Sequence, residues 1–350
     1  MRTFTNPFLK PLYIIAVSLL WFCTVVCHAA ERHLWDEGWR FALHPDDAPL
    51  QPDFKDDAWR LLDLPHDWAI EGDFYAQNPS GANGGALPGG IGWYRKHLAL
   101  HDSDAVSRYV LHFDGAYMNT SVYVNGTLLG TRPYGFISFS YDITPHLNKQ
   151  GDNVVAVKVD NSRQPNSRWY TGCGVYRHVY LSKSTDVRVA EWGVQAISEV
   201  KKGVGSVTLN TQIENFSGRS RRVTVRQRLW NKALQLVTQA SKTCDVTVSG
   251  TTVKQQMRVP KPQLWLPASP YLYTITTEII ENGRVLDGDT IRMGMRTVAF
   301  DAKQGFFLNG KNMKINGVCL HGDLGCLGAA INEDALYRQV SMMKAMGANA

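Results

Sequence analysis

The stretch "NGVCLHGDLGCLGAAINEDALYRQVSMMKAMGANA", from Asn316 to Ala350, decides how this chain is read. It starts as an apolar strand that ends near Leu320. It then passes through a loop holding His321 and Asp323 and turns into a helix. Asn332 can cap that helix, and Glu333 and Asp334 bring negative charge to the positive end of the helix dipole. Leu336, Val340 and Met343 recur at i, i+4 and i+7, which predicts one apolar face. Gly347 can end the helix in a left-handed conformation, and "ANA" can begin a second strand. Strand, loop, helix and strand onset make one βα unit. A strand of this kind is stable between parallel neighbours with its faces covered, and one unit supplies neither. The chain is therefore expected to be the front part of a longer protein, with residues 299–350 poorly ordered in isolation.

The sequence before this unit has a different character. From about residue 31 to 183, short runs of Val, Tyr, Phe and Leu alternate with polar residues and are punctuated by turns, as in an all-β domain. The clearest hairpin is "TSVYVNGTLLG", where Asn125-Gly126 suits a type I′ turn because both central residues need positive φ. "NVVAVKVDN" (153–161) reads as a clean strand. The Gly-rich run from Gly81 to Gly92 reads either as a surface loop or as a loop reaching toward a ligand. No helix start follows it, which argues against a phosphate-binding loop.

Residues from about 184 to 298 form a second β-rich segment with strands spaced as in an immunoglobulin-like sandwich. Asn282-Gly283 and Asn309-Gly310 mark further hairpins. "PKPQLWLPASPYLY" carries four prolines and suits an extended edge connection. The basic run "SGRSRRVTVRQR" alternates charge with Val, as a solvated strand face does.

The bulk numbers agree with an ordinary globular protein. Of 350 residues, 44% are hydrophobic and 19% charged, enough for two or three domains. The net charge of +6 is spread along the chain, which argues against nucleic acid as a partner. Ten Trp provide flat apolar faces with a polar edge, a shape that suits sugars and β-sandwich cores alike. At the N-terminus, Arg2 and Lys10 precede the apolar run "PLYIIAVSLLWFCTVVC" and then "HAAE". This pattern predicts a signal peptide over residues 1–29, cleaved after Ala29, and hence a periplasmic or secreted protein. The run is short for a spanning helix, so stable membrane insertion is not expected; an uncleaved anchor is the alternative. Four Cys lie outside it, and their spacing suggests neither zinc nor a dense disulfide framework. Cys319 and Cys326 read as packed thiols.

Several segments, in order, resemble glycoside hydrolase family 2. "LPHDW" (64–68), "GGIGWYRKHL" (89–98) and "NSRWYTGCGVYRHVYL" (166–181) are similar to its sugar-binding jelly-roll domain. "LWLPASPYLYTITTEI" (264–279) and "GMRTVAF" (294–300) are similar to the end of its sandwich, and the stretch from Phe306 to Ala350 to the start of its catalytic barrel. The resemblance implies a mainly β chain: a jelly-roll domain over 30–183, an immunoglobulin-like β-sandwich over 184–298, and the first βα unit of a (β/α)8 barrel over 299–350. The closing segment is most similar to exported β-galactosidases. It implies a retaining glycosidase acting on a β-galactoside oligosaccharide or polysaccharide. β-Glucuronidase or β-mannosidase activity, or a non-catalytic carbohydrate-binding protein, are the alternatives. A structural or adhesion protein has only the sandwich architecture in its favour.

Retaining chemistry needs two carboxyl groups about 5 Å apart. The family carries both Glu on later barrel strands, so no catalytic residue is assigned here and the 350-residue chain alone is expected to be inactive. Residues at the C-terminal ends of barrel strands face the active site. The resemblance thus gives His321 a sugar contact, against a purely loop-holding role. Asp323 either binds a hydroxyl or braces the loop. The closing loop of the first domain offers Ser167, Arg168 and Trp169, with Trp169 either stacking on sugar or buried in the sandwich. The resemblance also admits magnesium or sodium and a homo-oligomer. In better-known relatives an acidic residue of that loop helps hold sodium; here "NSRWYTG" has no carboxylate.

Overall fold

The computed structural model describes residues 31–45, 49–100 and 108–350; the expected signal peptide lies outside the described residues. Ten strands form the first layer pair: β1 (Glu31–Leu34), β2 (Trp39–Leu43), β3 (Arg60–Leu62), β4 (Gly90–Leu100), β5 (Arg108–Phe113), β6 (Thr120–Val124), β7 (Thr127–Arg132), β8 (Phe139–Asp142), β9 (Gly151–Asn161) and β10 (Val179–Ser184). They make a six-stranded sheet in the order β3-β2-β4-β9-β6-β7 and a four-stranded sheet in the order β1-β10-β5-β8. All pairings are antiparallel. Inward residues of the two sheets, among them Trp39, Tyr94, Leu111, Phe113 and Val157, bury one core between them.

Seven strands follow: β11 (Val187–Lys201), β12 (Val204–Asn215), β13 (Arg221–Trp230), β14 (Leu236–Val246), β15 (Thr251–Pro260), β16 (Tyr273–Glu281) and β17 (Arg284–Met293). A three-stranded sheet, β11-β12-β15, packs on a four-stranded sheet, β14-β13-β16-β17. Two apolar clusters fill this sandwich. Polar side chains bond to one another in the same interior. The Gln227 amide donates to the hydroxyls of Thr211 at 2.9 Å and Thr277 at 3.1 Å, and its carbonyl accepts from Gln255 at 2.9 Å. In the basic run, Val223, Val225 and Leu229 point inward. The arginines point outward, where Arg226 and Arg228 share the buried carboxylate of Glu278 and Arg221 pairs with Glu281.

Of the five Asn-Gly pairs in the sequence, the three read as hairpins make the turns their chemistry demands. Asn125 and Gly126 have φ of 49° and 82°, Asn282 and Gly283 49° and 79°, and Asn309 and Gly310 52° and 74°. They join β6 to β7, β16 to β17, and β19 (Gly305–Leu308) to β20 (Lys311–Asn312); β18 (Val298–Asp301) pairs with the other side of β19. The Gly81–Gly92 run packs against the body rather than standing off it, with Leu87 only 3% exposed.

The end of the chain departs from the reading of the sequence in three ways. Residues 313–320 form no assigned strand, because among the described residues no sheet exists beside them. Met313 N–H donates to Phe306 O at 2.9 Å, and the last residues pair with the segment beyond it. Val318 N–H donates to Ala350 O at 3.0 Å and Asn349 N–H to Asn316 O at 2.9 Å, the pattern of an incipient parallel ladder. The helix α1 (Glu333–Ala345) forms with Asn332 as its cap, whose side chain accepts from Ala335 N–H at 2.9 Å. Val340, however, is 57% exposed, so the predicted face is not covered. Cys319 and Cys326 are exposed rather than packed, since the strand that would bury them is not enclosed. The segment is nevertheless attached to the first sandwich, through the contacts described next.

Candidate functional site

Asp67, in the "LPHDW" segment, is 2% exposed. Its Oδ1 accepts from Ala69 N–H at 3.0 Å and Cys173 N–H at 2.8 Å. Its Oδ2 accepts from the Tyr170 hydroxyl and from Ala329 N–H at 2.8 Å. One carboxylate thus ties together the first sandwich, its closing loop and the loop after His321. Burial, reinforced by the Asp67 charge, pushes the Tyr170 hydroxyl well above its ordinary value, so it stays a proton donor. Two glycines allow the approach. A Cβ on Gly328, whose φ is +59°, would lie 2.4 Å from Asp67 Oδ2; one on Gly172, at φ +70°, would lie 2.5 Å from the Ala329 methyl. A second tie runs from Ile331 N–H to Tyr176 O at 2.9 Å.

These ties place the two segments around an open cleft of about 400 Å³. Trp169 and His321 both line it and touch each other, with ring centroids 5.2 Å apart and planes inclined at 44°. Trp169 is 40% exposed, so it presents its face to the cleft rather than to the sandwich core. An aromatic wall continues through Tyr134, Phe136 and Tyr176, with Phe136 in ring contact with both tyrosines. The Tyr176 hydroxyl donates to Gly135 O at 3.0 Å and holds that wall in place. Arg177 also lines the cleft, its guanidinium over Tyr176, and its buried Nε has no hydrogen-bond partner.

The other sequence-predicted residues are placed differently. Ser167 accepts Trp169 N–H at 3.3 Å and so shapes the loop beside the cleft. Arg168 is exposed and lines neither the cleft nor the small cavity behind it. Asp323 is exposed; its backbone carbonyl, not its carboxylate, accepts from Gln339. Among the described residues, the sodium that the resemblance admits finds no fitting donor set at this loop. Asn166 spends its oxygen on the Tyr117 hydroxyl and its amide on Asn161 and Arg163, and the one nearby buried carboxylate, Asp67, is already taken by four donors.

Sequence reading missed Asp67, Tyr170, Arg177 and the Tyr134–Phe136 wall. "LPHDW" was legible as a motif, but nothing local marks its Asp as the clamp on a loop 262 residues away.

Comparison with known proteins fixes the class. The family model described as "Glycosyl hydrolases family 2" matches residues 187–296, and "Glycosyl hydrolase 2 galactose-binding domain-like" matches residues 90–190. The chain belongs to glycosyl hydrolase family 2, of which it carries N-terminal domains. A beta-galactosidase of Bacteroides ovatus, BoGH2A, is 48% identical over 91% of this chain and 38% of its own length. A beta-glycosidase from Bacteroides vulgatus superposes with a TM-score of 0.86 at 35% identity, over 91% of this chain and 40% of that one. A beta-glucuronidase of Bacteroides uniformis superposes with a TM-score of 0.81 at 27% identity, over 91% and 38%. The chain thus spans about two-fifths of the length of these relatives.

Proposed function

We propose that this chain supplies one wall of the sugar site of an exported retaining β-galactosidase. The observation that carries the reading is the pair Trp169 and His321, brought into ring contact at 5.2 Å on the wall of an open cleft by the Asp67 clamp. A flat indole offers a surface to the apolar face of a pyranose, and an imidazole offers a hydrogen bond to its hydroxyls. A bond of that kind that strengthens as the ring flattens stabilises the transition state more than the ground state. The two catalytic Glu belong, in this proposal, to sequence beyond residue 350, which the greater length of the relatives supports. Export rests on the charged and apolar run at residues 1–27.

One observation favours a second reading, a β-glucuronidase. Arg177 brings a guanidinium to the cleft wall, where a uronate carboxylate could pair with it. A panel of nitrophenyl β-D-glycosides, given to the longer protein that contains this chain, separates the two. Preferential hydrolysis of the galactoside supports the first reading. Preference for the glucuronide, reduced by Arg177→Ala, supports the second and overturns the first.

A further inference from the structure

A second, larger cleft of about 810 Å³ opens between the two sandwiches, apart from the Trp169–His321 cleft. One wall is the four-stranded sheet of the first sandwich, which contributes Arg32, His112 and Ser182; the other is β11 and β17, which contribute Glu191, Trp192 and Asp289. A volume of this size falls in the range of small-ligand sites, about 300–1,000 Å³.

The wall that carries Trp192 is built by an irregularity in β11. Val189 pairs with Ile213 and Val194 with Thr211 of β12, so four residues, 190–193, face the single Gln212. The bulge needs Gly193, because a Cβ there would lie 2.7 Å from Ala190 O and 2.9 Å from Gln212 O. Trp192 at its tip has φ of +49°, a conformation that costs a bulky residue of order 1–3 kcal/mol. Its indole is 70% exposed and belongs to neither apolar cluster of the sandwich. Neither strain nor exposure of a large apolar ring helps the sandwich fold, so the fold alone gives no reason for Trp at this position.

The neighbouring acceptors are held in place. Glu191 pairs with His112 Nδ1 at 2.8 Å, and His112 Nε2 meets the Ser182 hydroxyl at 2.9 Å. Asp289 accepts from Thr290 N–H at 2.7 Å through one oxygen. The lining carries five carboxylates, of Asp142, Glu191, Glu214, Asp287 and Asp289, against Arg32 and Arg188; Glu214 pairs with Arg188 at 2.9 Å, and Asp142 with Arg108 beside the cleft. A cleft with an excess of carboxylates repels anionic ligands and favours one that donates hydrogen bonds. A flat indole beside oriented carboxylates matches a pyranose, whose C–H face packs on the ring while its hydroxyls donate to the acids.

We propose that the cleft between the sandwiches binds a neutral oligosaccharide, with Trp192 as its stacking platform and Glu191 and Asp289 as hydroxyl acceptors. The ligand class follows from the cleft's own chemistry and not from the glycosidase reading. Binding is measured without hydrolysis, so its failure would leave the substrate panel's result intact.

The test is affinity electrophoresis of the 350-residue chain in gels containing galactan, xyloglucan, arabinoxylan or mannan, followed by calorimetric titration with the matching tetrasaccharide. At least one polysaccharide should retard the chain. Trp192→Ala should weaken binding by about tenfold or more, a loss of about 1.4 kcal/mol. Trp192→Phe should retain most of it, Asp289→Asn should weaken it, and Phe74→Ala, at an exposed ring outside both clefts, should leave it unchanged. The thermal midpoint of Trp192→Ala should not fall, since a strained, exposed residue is being removed. Retardation by none of the four polymers would overturn the proposal. So would binding that survives Trp192→Ala, or binding lost in Trp169→Ala and kept in Trp192→Ala.

Discussion

The carboxylate of Asp67 accepts a hydrogen bond from the backbone N–H of Ala329 at 2.8 Å, and through it the first sandwich holds the loop that follows His321. Removing that carboxylate should therefore cost more than a surface ion pair. Asp67→Ala leaves three backbone N–H groups and the Tyr170 hydroxyl without their acceptor. A destabilisation of about 3 kcal/mol or more is expected. Urea unfolding measures it, and faster hydrogen exchange at the Ala329 amide should accompany it. A loss below about 1 kcal/mol would mean that the clamp matters little.

Gly328 is the position where side-chain bulk meets the clamp directly. Gly328→Ala places a methyl group 2.4 Å from Asp67 Oδ2 at a φ of +59°. Trypsin should then cut at Arg338 or Lys344 faster than in the unaltered chain, while residues 31–293 stay intact. Gly322→Ala is the control, because its φ of +84° carries strain with nothing within 4 Å. It should affect tail cleavage much less.

His66 sets a pH dependence. Burial, as the leading cause, lowers its pKa from the ordinary 6.5 despite the opposing pull of Glu71. The Glu71 carboxylate only accepts, so a neutral ring carries its proton on Nε2, 3.3 Å from Glu71, and Nδ1 then accepts from the Tyr94 hydroxyl at 2.8 Å. The unfolded state therefore binds the proton more readily than the folded one. Stability from this group is full above 6.5 and falls as pH drops below it. The thermal midpoint should decline between pH 7 and 5, and His66→Gln should flatten that decline. An equal slope in the variant would remove His66 as the cause.

The polar belt inside the second sandwich should be costly to break. Gln227→Ala strands Thr211, Thr277 and Gln255 in a site that is almost dry. A loss of about 2–4 kcal/mol is expected in urea unfolding, since buried partners lose their bonds without regaining water. A change under 1 kcal/mol would show that the belt rearranges.

What the sequence disclosed and what it hid divide along the range of the forces. Asn125-Gly126, Asn282-Gly283 and Asn309-Gly310 were legible because positive φ is a local demand. The alternation in β13 was legible because one face of it must be buried, and β9 was legible by its run of Val although residues 153–157 are buried on both faces. The Asn332 cap needs only its own first turn. The apolar pattern of residues 313–320 was equally clear, yet no strand is assigned there, because a parallel strand is made by neighbours rather than by its own residues. The bulge at Trp192 depends on register with β12, which no local pattern encodes. At the site, His321 and Trp169 were named from their motifs, and the structure brings them together. Arg168 and Asp323 carried the same kind of signal but face solvent.

The central claim, that His321 faces a sugar beside Trp169, is tested most directly by kcat/KM for nitrophenyl β-D-galactoside. The measurement uses the longer protein with and without His321→Ala, and the thermal midpoint of each is recorded alongside. Loss of a contact made chiefly in the transition state should cost about 2–4 kcal/mol, a fall of roughly 30- to 1,000-fold, with the midpoint unchanged. Near-normal activity in the folded variant, or a rate loss that merely tracks a lowered midpoint, would contradict the assignment.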